Sequence, residues 1–69
     1  MNVSDTIEAL GGISAVAESL GVGLPAVRNW RRLNAFPPRL YLTISGIAKQ
    51  QDIEVDSALF RELSVDERP

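Results

Sequence analysis

Gly21 separates two short apolar patterns of helical period in residues 13–32, ISAVAESLGVGLPAVRNWRR, and this arrangement constrains the fold more than any other stretch. Val16 and Leu20 are one helical turn apart and share a face. Ala17 is the small residue at which a second helix can cross closely. A glycine at position 21 supplies the positive φ that ends one helix and opens a sharp turn. Val22 plugs the corner, and Val27 and Trp30, three apart, form the inner face of the next helix. Arg28, Asn29 and Arg32 are left on its outer face. The spacing therefore predicts helices over 13–20 and 24–33 around a tight turn.

Helical periodicity occurs in any small helical domain, and a hairpin with no nucleic-acid role would satisfy it. The combination of Ala17, Gly21, Val22, Val27 and Trp30 at these offsets is more specific. It is the pattern of a DNA-binding helix-turn-helix.

A chain of 69 residues is one domain. With no cysteine and no histidine, disulfides, zinc fingers, thiol nucleophiles and histidine acid–base chemistry are excluded. No glycine-rich phosphate loop or paired-carboxylate arrangement is present, so no enzyme and no cofactor or metal is expected. No secretory signal is visible at the N-terminus, and no apolar run approaches the ~20 residues of a membrane span. The expectation is a cytoplasmic, nucleoid-associated protein with no membrane partner. The net charge is −2, which by itself argues against DNA. Its distribution argues the other way. Asp5, Glu8 and Glu18 precede an all-basic block of Arg28, Arg31, Arg32, Arg39 and Lys49, and acids dominate again afterwards. A local positive face can bind phosphate because salt screens charges beyond ~8–10 Å.

Taken in order, Ser4 or Asp5 is expected to cap a first helix, with Glu8 placed as in a capping box. Ile7 and Leu10 form its apolar pair, Gly11 and Gly12 stop it, and it packs across the motif as a third wall. Gly23 is a weak cap for the helix over 24–33, and Pro25 is tolerated in its first turn. Trp30 and Phe36 are assigned to the core. Pro37 and Pro38 break the chain before a fourth helix over 38–51, whose stripe is Leu40 or Tyr41, Ile44, Ile47 and Ala48. Tyr41 has two readings, a half-buried structural tyrosine or a phosphate contact. Residues 52–56 alternate as a short strand would, but a turn and a fifth short helix over 57–63, capped by Asp56, is preferred. Apolar surface is expected to be left at Leu42, Leu59 or Phe60. The fold class is all-α, a compact bundle of four to five short helices in a domain over 1–63, with a disordered tail over 64–69.

Arginine pairs bidentately with guanine and asparagine with adenine, so Arg28 and Asn29 are the leading base-reading candidates. Leu24 and Pro25 stand on the same outward face, and Leu24 can touch a thymine methyl. Arg31, Arg32 and Arg39 are candidate phosphate contacts, although Arg31 and Arg32 also suit the C-terminal end of the helix dipole. Ser14 can add a hydroxyl where the free N–H groups of the helix over 13–20 meet a phosphate, or can be a simple first-turn polar residue.

The chain resembles the Cro/lambda-repressor-like helix-turn-helix superfamily, especially its short Cro-like or YdaS-like regulators. The shared residues are Gly11-Gly12, Ala15-Val16-Ala17, Leu20-Gly21-Val22, Ala26-Val27, Asn29-Trp30 and Pro37, with Ile47-Ala48 and Ile53-Glu54-Val55-Asp56 further on. The resemblance covers roughly residues 5 to 63. It implies sequence-specific binding of double-stranded DNA, as a homodimer, in transcription control. Family members carry polar residues where this chain has Gly23, Leu24 and Pro25, and often a glutamine where it has Ile13, so fewer hydrogen-bonding side chains reach the bases.

A small DNA-binding transcriptional regulator, a repressor for example, is therefore expected. The alternative is a protein-interaction module on the same scaffold, acting as an antitoxin, an anti-repressor or a co-regulator with a protein partner. The acidic ends and the apolar Gly23-Leu24-Pro25 patch favour it, and the basic block disfavours it.

Overall fold

The computed structural model describes residues 1–61. The expected tail over 64–69 and the end of the expected fifth helix, with Leu63, lie outside them. Among the described residues the chain is an all-α bundle of four helices: α1 (Val3–Ala9), α2 (Ile13–Leu20), α3 (Leu24–Leu33) and α4 (Tyr41–Gln50). Short 3₁₀ turns, Pro38–Leu40 and Ser57–Leu59, precede and follow α4. α2 and α3 pack most closely on each other, and α1 lies against both as a third wall. The core gathers Val3, Ile7 and Leu10 from the first helix and its end, Val16 and Ala17 from α2, and Val27 and Trp30 from α3. Phe36, Ile44, Ala48 and Leu59 complete it.

Each helix ends by one device. Gly11, Gly21, Asn34 and Asp52 all have positive φ. The next residue then donates its N–H to a carbonyl five positions back: Gly12 to Ile7, Val22 to Ala17, Ala35 to Trp30 and Ile53 to Ala48, at 2.8–3.1 Å. This satisfies carbonyls that the helix itself leaves open, and at Val22, Ala35 and Ile53 the following side chain packs at least partly inward. The glycine at 21, with φ 70°, is the tight turn that the sequence predicts, and Val22 packs half-buried in the corner.

Three local expectations are corrected. α1 begins two or three residues earlier than a cap at Ser4 or Asp5 would allow. Asn2 is the cap, and its Oδ1 accepts the Asp5 N–H at 2.7 Å. Starting there puts Val3 and Ile7 one turn apart on the buried face, where both are essentially inaccessible. Thr6 is buried in the same turn, and its hydroxyl donates to the Asn2 carbonyl. Second, the expected helix over 38–51 is split, because Pro38–Leu40 forms a 3₁₀ turn in which the Leu40 N–H donates to the Pro37 carbonyl. Third, the expected fifth helix shortens to Ser57–Leu59, although Asp56 does cap it through the Ala58 N–H. Phe60 then leaves helical geometry and pairs with Phe36 in an isolated parallel bridge. Phe36 donates to the Leu59 carbonyl, and Arg61 donates to the Phe36 carbonyl.

That bridge aligns every aromatic residue of the chain. Trp30 meets Phe36 edge-on at 6.0 Å, Phe36 meets Phe60 at 5.1 Å, and Phe60 meets Tyr41 edge-on at 5.0 Å. Each such pair contributes about 0.5–1.5 kcal/mol beyond the area it buries. The row ties the end of α3 to the start of α4 through the C-terminal segment.

Candidate nucleic-acid interface

α3 is the helix on which the candidate residues converge. Val27 and Trp30 are buried, at 0% and 4% exposure, so the opposite side must face outward. At 100° per residue the outward band runs from Arg31 through Leu24, Arg28 and Arg32 to Pro25, and all five are exposed. Arg28 lies at its centre. Asn29 lies at its edge, next to the half-buried Ala26 and Leu33, and is itself half-buried. Its side chain is engaged: Arg32 Nη2 donates to Asn29 Oδ1 at 2.6 Å. The sequence signal for this contact is the i, i+3 spacing, which the assignment of separate roles to the two residues passed over.

The start of α3 is formed by Gly23 in extended geometry with Pro25 in the first turn, and no side chain caps it. Leu24 and Pro25 therefore stand exposed at the tip of the helix. Its other end stops at Asn34, with Arg31 and Arg32 in the last turn. Both arginines therefore have the dipole-compensating position as well as an exposed one. Arg61 Nη2 donates to the carbonyl of Leu33 at 3.3 Å, adding a third cation at this end.

Ser14 is exposed in the first turn of α2, and that helix also starts without a side-chain cap, at Gly12. Arg39 is exposed in the 3₁₀ turn, a few residues after α3 ends. Tyr41 is partly exposed, at 40%, with its ring held edge-on by Phe60. Of the apolar residues expected to remain uncovered, Leu42 is 81% exposed, whereas Leu59 is buried and Phe60 half-buried.

Among the described residues there is no group of three or more His, Cys, Asp or Glu that could hold a metal, and no helix is long and apolar enough to cross a membrane. No family model matches the chain, and no curated protein or solved structure matches it either.

Proposed function

We propose that this chain is a small DNA-binding transcriptional regulator of the Cro/lambda-repressor-like helix-turn-helix kind, with α3 as the recognition helix in the major groove. The observation that carries the reading is the outward band of α3: three arginines and two small apolar contacts on a helix whose opposite face is locked into the core. A helix of this width fits the major groove, and an arginine at the band's centre is the side chain best suited to a guanine edge. Leu24, Pro25 and Arg28 form the base-facing set, with Asn29 beside them at the edge of the band. Arg31, Arg32, Arg39 and Ser14 form the phosphate-facing set around it. As a homodimer the protein would place two α3 helices in successive major grooves about 34 Å apart, reading an inverted repeat.

Fluorescence anisotropy of the purified protein against a mixed-sequence DNA duplex, at low and at near-physiological salt, tests this. Binding that weakens steeply with salt supports it, and no binding even at low salt refutes it.

A protein-interaction module is the second reading, and the 81% exposure of Leu42 on α4 favours it together with exposed Leu24 and Pro25. It gains if a protein partner covers Leu24 and Pro25 while DNA is not bound.

A further inference from the structure

Within the DNA-binding reading, on which this inference rests, we infer that Asn29 is a positioning residue for Arg32 and not itself a reader of adenine. The pair therefore presents chiefly hydrogen-bond donors to DNA. An asparagine reads adenine by accepting from N6 through Oδ1 while donating to N7 through Nδ2, with its amide facing the base. Here Oδ1 is directed along the helix surface, where it accepts from Arg32 Nη2 at 2.6 Å. The assignment of the amide oxygen is fixed by chemistry, since a guanidinium has only donors to offer. An adenine N6 brought to the same oxygen would place a second donor beside a full positive charge.

The same contact gives Arg32 what a long side chain lacks, a fixed direction. An exposed arginine otherwise loses rotamer freedom when it binds. Held by Asn29, the guanidinium keeps its remaining N–H groups free for an acceptor on the DNA. The acceptors of that chemistry are the O6/N7 edge of guanine and a phosphate oxygen.

A double-mutant cycle on the full chain decides the matter, with wild type, Asn29→Ala, Arg32→Ala and the double variant measured on a duplex selected by the wild type. Affinity is read against single base-pair changes and against salt. Arg32→Ala is expected to weaken binding about 5- to 100-fold. Asn29→Ala is expected to weaken it about 2- to 10-fold. The double variant should match Arg32→Ala alone within about two-fold. If Arg32 meets guanine, both single variants lose preference at the same G·C pair. If it meets phosphate, both lose affinity uniformly, and in Arg32→Ala the salt slope falls by about one.

A purely structural role for Asn29 would lower the melting temperature without either signature. Independent, additive losses, an A·T preference lost in Asn29→Ala whether or not Arg32 is present, or no effect of Asn29→Ala would each overturn the inference while leaving DNA binding intact. A wild type that binds no DNA would instead remove the reading beneath it.

Discussion

Asn34 Oδ1 accepts the backbone N–H of Val3 at 3.0 Å, so the residue that ends α3 also caps α1 from 31 positions away. Asn34 itself has φ 54°, the left-handed region that costs most side chains energy and costs asparagine least. One residue thus does two jobs, stopping the candidate recognition helix and joining it to the first helix. Replacing it by alanine removes the acceptor and leaves a side chain poorly suited to that φ. Asn34→Ala should cost about 1–3 kcal/mol. Chemical denaturation measures it, with the midpoint moving and the slope unchanged.

Asp52 occupies the equivalent position after α4, with φ 60°, but among the described residues no long-range cap depends on it. The sign of the effect is therefore reversed. Asp52→Gly relieves the backbone and should raise stability by about 0.5–1 kcal/mol. A rise in melting temperature checks it, and a fall would show that the Asp52 side chain has a role that its backbone geometry does not reveal.

Phe36 is fully buried at the centre of the aromatic row, whereas Leu42 is 81% exposed. Phe36→Ala should cost about 3–5 kcal/mol, much of the stability of a domain this small. Leu42→Ser should change stability by no more than about 0.5 kcal/mol. Urea unfolding of the two variants makes the comparison. A large loss from Leu42→Ser, dependent on protein concentration, would instead show that this residue is covered by a second copy.

The helices over 13–20 and 24–33, the turn at Gly21 and the inward Val27 and Trp30 were legible in the sequence because each is a local signal. Apolar spacing, a glycine and a proline act within one or two turns. The start of α1 was not legible, since Asn2, Ser4 and Asp5 are all good caps. The choice is made by tertiary burial of Val3 and Ile7. The fifth helix was overextended for a related reason. Leu59 and Phe60 have apolar spacing that suits a helix, but the open N–H and carbonyl of Phe36 recruit the segment into a bridge. In the candidate site, the exposure of Arg28, Arg31 and Arg32 followed from the helical period. The link between Asn29 and Arg32 depends on rotamers, which the period does not specify.

The proposed phosphate-facing residues make a quantitative prediction. If Arg31, Arg32 and Arg39 each neutralise one phosphate per subunit, log affinity should fall with log salt at a slope of about −2.7 per subunit. Arg39→Ala should lower the magnitude of that slope by about one and weaken all sequences alike. Titrations at several salt concentrations give the slope directly, and an unchanged slope would remove Arg39 from the phosphate-facing set.

The central claim is that the outward band of α3 reads DNA, with Arg28 at its middle. The most direct measurement is selection from a random duplex pool by wild type and by Arg28→Ala, with sequencing of the retained fraction. The account predicts that wild type enriches an inverted repeat whose half-sites are one helical turn apart. It also predicts that Arg28→Ala loses preference at one base pair per half-site, a cost of about 1–3 kcal/mol. Retention with no enriched sequence, or the same enriched site from both proteins, would contradict it.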